Sequence, residues 1–259
     1  MTEAEEKRAY RFKGKNAIVT GAASGIGRAC ALGFAVEGAN VAICDLNLEG
    51  LRAVEAEILA LGRRCLAMPV NVSKKAESDA FIEKALETFG SIDILVNNAG
   101  TGQFVPFAMM EDGEYDRVMD INVRSIFNFC RAVLPSMMDR DYGKIVNITS
   151  IMSTIAAQGQ SIYNTSKGAA KMMTQGMAVD LSGYNINVNA VGPGFVHTGL
   201  TKNLLGDAAS VAEFEEKIPK RRIGVPEDIA AGVLFLCSDA ASYIHGESLF
   251  IDGGMLCTR

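Results

Sequence analysis

Tyr163 and Lys167 stand four positions apart, and Ser150 lies upstream of them. Residues at i and i+4 share one face of a helix, so a phenol and an ammonium at this spacing sit side by side. A free phenol titrates near pH ~10, too high for efficient proton exchange at neutral pH. A cation about 4 Å away, at an effective dielectric of ~20, stabilises the phenolate by roughly 4 kcal/mol and draws its titration toward neutrality. A tyrosine tuned in this way takes a proton from an alcohol or gives one to a carbonyl. Taken alone, the pair is equally compatible with an ordinary surface Tyr/Lys pair on a helix.

A second motif points the same way. Residues 20–27 read TGAASGIG, directly after the apolar run Ala17, Ile18, Val19. This predicts a strand, a glycine loop and then a helix. Gly21 permits a tight turn, Gly25 lets the backbone approach a pyrophosphate, and Gly27 lets helix and strand pack closely. The helix N-terminus offers unpaired N–H groups and a positive dipole end to phosphates. The spacing is G-x-x-x-G-x-G, unlike the G-x-G-x-x-G of other dinucleotide folds.

With these residues in view, the chain resembles the short-chain dehydrogenase/reductase family from about Phe12 to Gly254. Five further segments carry the likeness: Asn97-Asn98-Ala99-Gly100, Asn122, the Ser150/Tyr163/Lys167 set, Pro193-Gly194 with Thr198, and Ile251-Asp252-Gly253-Gly254. The resemblance implies that Ser150 hydrogen-bonds the reacting oxygen and that Tyr163 exchanges the proton. Lys167 would hold the nicotinamide ribose and lower the Tyr163 pKa, and Asn122 would anchor a water that relays protons. Cofactor contacts are implied for Gly21, Ser24, Gly25, Ile26, Gly27, Leu46, Val72, Asn98, Ala99, Gly100, Tyr163, Lys167, Pro193, Gly194, Val196 and Thr198. Asn71 departs from the family's Asp at its position, although its amide oxygen can still accept a hydrogen bond from the adenine amino group.

The cofactor expected is NAD. Asp45 closes the second predicted strand, where an acidic residue accepts hydrogen bonds from the adenine-ribose hydroxyls. A 2′-phosphate at ~5 Å would cost about 3 kcal/mol per unit of charge at an effective dielectric of ~20. Asp45 is also placed to cap the following helix. Basic residues that favour a phosphorylated ribose are absent, since the relevant sites hold Ala23, Ser24, Leu46 and Asn47.

Composition fits a soluble enzyme acting on a small molecule. The chain has 259 residues, 49% hydrophobic and 21% charged, with net charge −5. An acidic balance without a long Lys/Arg run argues against nucleic-acid binding. The apolar runs fall short of a membrane span, and MTEAEEKRAY lacks the apolar core of a secretory signal. The six cysteines form no C-x-x-C, which suits reduced thiols in the cytoplasm. With only His197 and His245 available, no His-based zinc site is expected.

Apolar strands alternate with amphipathic helices along the chain. Strands are expected near 16–20, 40–44, 64–68, 92–96, 144–149, 187–191 and 248–251. Helices are expected at 48–61, 74–89, 113–139 and 161–181. Such alternation predicts an α/β, doubly wound Rossmann fold with a predominantly parallel seven-stranded sheet. The organisation expected is a flexible tail over 1–11 and a single domain over 12–259, with a substrate lid around 195–222. Long apolar helices at 113–139 and 161–181 carry Val118, Ile121, Phe127, Phe129, Val133, Met137, Met172, Met173 and Met177. They predict interfaces, and with the family's assembly they imply a homotetramer.

The substrate is the least legible part. Walls are expected from Gln103, Phe104, Ile151, Met152, Gln158, Gln160 and Phe195 through Leu204. Gln158 and Gln160 suggest hydroxyls to be bound and lean toward a sugar, a polyol or a small hydroxy/keto compound. A carrier-bound acyl ketoreductase and a hydroxysteroid dehydrogenase are the alternatives. The helix segments 137–141 (MMDRD) and 180–184 (DLSGY) are not basic, which counts against an acidic carrier. A non-catalytic NAD sensor would lack Ser150, Tyr163 or Lys167, and all three are present.

Overall fold

Seven strands form one sheet in the order β3-β2-β1-β4-β5-β6-β7, and every pairing is parallel. The computed structural model describes residues 10–202 and 205–258. The expected tail therefore lies largely outside the described residues, as does Leu204. The strands are β1 (Asn16–Thr20), β2 (Asn40–Asp45), β3 (Cys65–Pro69), β4 (Ile94–Asn97), β5 (Gly143–Ile148), β6 (Ile186–Pro193) and β7 (Ser248–Ile251).

The central strands are short apolar runs because both of their faces are covered. β1, β4, β5 and β6 are buried along their whole length, whereas the edge strand β3 is only half-buried. Alternate residues of β1 feed opposite faces: Ala17 and Val19 join one apolar cluster, Ile18 the other. Helices α1 (Gly25–Val36), α2 (Leu48–Ala60) and α8 (Pro226–Cys237) supply the first cluster. Helices α3 (Lys75–Phe89), α5 (Ser125–Asp139) and α6 (Ser161–Asp180) supply the second.

Local chemistry sets the helix ends. The Asn47 side chain accepts from Gly50 N at 3.1 Å and caps α2, so Asp45 is not the cap. Gly90 ends α3 in the left-handed conformation, at φ 82°.

Two regions differ from the sequence reading. The expected helix over 113–139 is interrupted: α4 (Asp112–Met119) and α5 are joined by a π-helical turn, Asp120–Arg124. The turn follows from Asn122, whose side chain bonds another segment of backbone, as described below. The segment 195–222 is more regular than expected, because it contains α7 (Ala208–Lys217), capped by Asp207 through Ser210 N at 2.8 Å. Phe214 on α7 packs on Phe195 with ring centroids 4.4 Å apart. This contact belongs to a third apolar cluster around Ile151, Met152, Ile218, Ile223 and Met255.

Candidate active site

The strand order reverses between β1 and β4, and their carboxyl ends open a crevice where α/β folds of this kind bind ligands. Thr20 and Asn98 hold the two lips together. Thr20 Oγ1 accepts from the N–H groups of Asn98 and Ala99, both at 3.0 Å. The Asn98 amide donates to Thr20 O at 2.9 Å and Gly21 O at 3.0 Å. Gly27 makes this packing possible, because a Cβ there would lie 2.1 Å from Gly21 O.

A cavity of about 270 Å³ runs from Asp45 past the glycine loop to Ser150, Tyr163 and Lys167. Gly21, Ser24, Gly25, Ile26, Asn98, Ala99, Gly100, Pro193, Gly194, Val196 and Thr198 also line it. The Ser24 side chain makes no capping bond, which leaves the first amides of α1 available beside the cavity. Asp45 accepts from Ala23 N at 3.1 Å and Asn47 N at 3.0 Å. A carboxylate has about four acceptor sites, so capacity for two ribose hydroxyls remains. Anion-accepting amides at one point and a carboxylate near the β2 end match the phosphates and ribose of a dinucleotide.

Four residues with expected cofactor contacts lie outside this lining. Gly27 serves packing instead. Leu46 is exposed to solvent and Val72 is buried in the core. The Asn71 amide oxygen already accepts from Ser73 N at 3.1 Å and Ser73 Oγ at 2.7 Å, so its second lone pair is committed locally.

Ser150, Tyr163 and Lys167 converge at the carboxyl end of β5. Ser150 follows that strand, and its Oγ accepts from Met152 N at 3.1 Å. Tyr163 and Lys167 lie on α6 one turn apart, with Lys167 Nζ 5.8 Å from the phenol ring centroid. Lys167 is buried, and its Nζ donates to Ile148 O at 2.9 Å. Burial lowers the ammonium pKa to about 8. Burial also pushes the Tyr163 phenol up, against a Ser150 hydrogen bond that pulls it down. The sequence expectation is a phenol lowered by the lysine; here the ammonium turns to the Ile148 carbonyl, and Ser150 is the group that favours the phenolate.

Asn122 closes the back of the site. Its Oδ1 accepts from Thr101 N at 2.8 Å, and its Nδ2 donates to Thr101 O and to Ser166 Oγ, both at 2.9 Å. Ser166 Oγ in turn donates to Tyr163 O at 2.7 Å. The π turn thus ties the loop after β4 to α6.

A second, smaller cavity adjoins the first at Ser150 and Tyr163. Ile151, Met152, Gln160 and Phe195 line it, with Phe104 and Leu200. Gln103, expected at this wall, is 1% exposed and saturated. Its Nε2 donates to Val105 O and Gly159 O, and its Oε1 accepts from Ile162 N and Tyr163 N. Gln103 therefore fixes the start of α6 and is not available to a ligand. Gln158 is exposed outside the cavity, so of the two glutamines behind the polyol expectation only Gln160 faces it.

Sequence reasoning missed Thr101, Gly102, Ile148 and Thr149 as lining residues. Thr101 and Gly102 follow Gly100 directly beyond β4, and the carboxyl-end rule for parallel sheets points to them.

The family model described as enoyl-(acyl carrier protein) reductase matches residues 21–256. The 5-keto-D-gluconate 5-reductase of Escherichia coli is 37% identical over 247 residues, covering 95% of this chain and 97% of its own. The chain belongs to the short-chain dehydrogenase/reductase family. The 3-oxoacyl-(acyl-carrier-protein) reductase FabG of Thermotoga maritima is 38% identical over 246 residues, with 95% and 99% coverage. Among solved structures, levodione reductase superposes with a TM-score of 0.92 at 33% identity, covering 96% of this chain and all of its own. As a short-chain dehydrogenase/reductase, the chain is an oxidoreductase that acts on CH–OH groups with a nicotinamide cofactor. No helix among the described residues is long and apolar enough to cross a membrane.

Proposed function

We propose that this enzyme interconverts a small secondary alcohol and its ketone with NAD rather than NADP. The observation that carries the reading is Asp45, whose carboxylate lines the same cavity as Ser150, Tyr163 and Lys167. When bound, the nicotinamide supplies the hydride chemistry. Ser150 donates a hydrogen bond to the substrate oxygen and steadies its developing charge. Tyr163 gives the proton to that oxygen in reduction and takes it in oxidation. Lys167 holds the ribose from within its buried pocket, and the Asn122 turn anchors the water path that restores the proton.

The cofactor part is tested by kcat/KM for NAD and NADP. A 2′-phosphate at ~5 Å from Asp45 costs about 3 kcal/mol per charge, so at least 100-fold preference for NAD is expected. Asp45→Ala should relax it, and equal values for the wild type would overturn the reading.

The segment 195–222 is read as the substrate lid. Its ends are pinned by the Val196–Gly224 bridge, and Leu200 and Thr201 reach both cavities. The assembly is read as a homotetramer, now on fewer residues than the sequence suggested. Val118, Phe129, Val133 and Met137 are buried within the subunit, whereas Phe127 (49%) and Met172 (65%) remain exposed on α5 and α6. Light scattering at micromolar concentration tests this, and a stable active monomer would contradict it. The six unpaired thiols suit the reducing cytoplasm.

A further inference from the structure

The two cavities that meet at Ser150 and Tyr163 differ in chemistry. The larger presents the Asp45 carboxylate, the Lys167 ammonium and loop amides. The smaller is walled by Phe104, Ile151, Met152, Phe195 and Leu200, and among the described residues no charged side chain lines it. Ile151 and Met152 are backed by the third apolar cluster, which buries Ile218, Ile223 and Met255. At the mouth, Leu200 and Phe104 meet over Gly102, where a Cβ would lie 2.9 Å from Leu200 Cδ1 and 3.0 Å from Phe104 Cε2. Both side chains are exposed there, so an apolar body entering the mouth would remove them from water.

Polar capacity in this cavity is sparse. Apart from Ser150 and Tyr163, its polar side chains are Thr201 and Gln160. Thr201 Oγ1 is committed to Val196 O and Thr198 O. The Gln160 amide has no partner among the described residues, in contrast to the saturated Gln103. Arg117 touches the cavity wall from outside, holding Thr101 Oγ1 and Gly102 O. Glu114 neutralises it through two hydrogen bonds, at 2.8 and 2.7 Å. A carboxylate or phosphate brought into the small cavity would lose its hydration with no cation in the lining to replace it. A polyol would bury several hydroxyls against one available amide.

We propose that the substrate is a neutral carbonyl compound with an apolar body, carrying one further polar group that meets Gln160. Sugar acids, phosphorylated sugars and polyols are then poor substrates. The proposal rests on the alcohol–ketone reading above and narrows it.

The test uses the full chain with NADH and four ketones of similar size. These are a cyclic ketone, the same ring with one added hydroxyl, a keto-carboxylate and a keto-sugar. The two ring ketones should exceed the keto-carboxylate and the keto-sugar in kcat/KM by at least 100-fold. Gln160→Leu should lower the ratio of hydroxylated to plain ring ketone about tenfold, mainly through KM. Leu200→Arg, at an exposed mouth position, should raise the keto-carboxylate at least tenfold. A keto-carboxylate or keto-sugar that ranks first with the wild type overturns this proposal and leaves the alcohol–ketone reading standing. No turnover of any of the four, nor of the corresponding alcohols with NAD, overturns that reading and this proposal with it.

Discussion

One strand, β5, separates two buried lysines with different surroundings. Lys144 is the second residue of the strand, at the amino end of the sheet. Its Nζ donates to Asn187 Oδ1 at 2.6 Å and lies 5.8 Å from the Tyr142 ring centroid. Burial lowers its pKa, and the charge of Asp239 works in the opposite direction. Lys167 reaches the other end of the same strand, where the Ile148 carbonyl is its acceptor. No countercharge offsets its burial, and its pKa falls to about 8. Burial is common to both, so burial does not distinguish the lysine proposed to act. An uncompensated ammonium beside an open cavity does.

The largest expected effect tests the site that surrounds Lys167. Tyr163→Phe should lower kcat more than 100-fold while leaving NAD binding in place, because only the exchangeable proton is lost. Retention of more than about a tenth of the activity, a loss under ~1.4 kcal/mol, would remove Tyr163 from its role.

The lysines themselves come next. Lys167→Met should reduce kcat at least tenfold and weaken NAD binding. Lys144→Met should keep kcat within twofold but lower stability to chemical denaturation by about 1–3 kcal/mol, since Asn187 Oδ1 loses its donor. The opposite pattern would break the comparison.

Gln103 extends it to neutral groups. This side chain is as buried as either lysine and fully satisfied, so its contribution should be to order. Gln103→Leu is expected to destabilise the chain by roughly 1–3 kcal/mol. Because two of its bonds hold the start of α6, kcat should fall while KM for NAD changes little. Loss of stability with an unchanged kcat would show that Tyr163 does not depend on it.

The smallest effect is a pH dependence of stability. A lysine whose folded pKa lies below its unfolded value binds fewer protons in the folded state between the two, from about pH 8 to 10.5. Its burial cost is therefore full below pH 8 and is relieved as pH rises through that window. Cys30, Cys65 and Cys130, pushed up to about 12 by burial, work in the opposite sense above pH 9. The wild-type minus Lys167→Met difference cancels them. That difference should move in favour of the wild type by about 1 kcal/mol between pH 7 and pH 9. A flat difference would mean that Lys167 is not the uncompensated group.

Much of the fold was legible because strand and helix signals are local. The bounds of β1 and β7 follow from short apolar runs with glycine or acidic residues beside them, and α6 was placed to within one residue at its end. The glycine loop and the Ser150/Tyr163/Lys167 set were readable because spacing carries their chemistry. What could not be read depends on partners distant in sequence. Gln103 looked like a ligand-binding amide, and only the approach of residues 159–163 reveals three of its four bonds. The direction of the Tyr163 shift needed its burial, which only the packed structure shows. The π turn needed Thr101 against Asn122. Residue type announced these groups, and tertiary contact decided what they do.

The π turn at Asp120–Arg124 also fixes how this stretch can change over evolutionary time. Such a turn holds one more residue than an α turn, and one residue is worth about 100° of helical rotation. A chain shortened by a single residue here would wind smoothly from α4 into α5. It would do so by rotating α4 out of phase, carrying Val118 off its buried position and Asn122 away from Thr101. Length, more than identity, is therefore the inherited quantity in this segment. Substitutions between 120 and 124 that spare Asn122 should accumulate, while one-residue deletions should be purged.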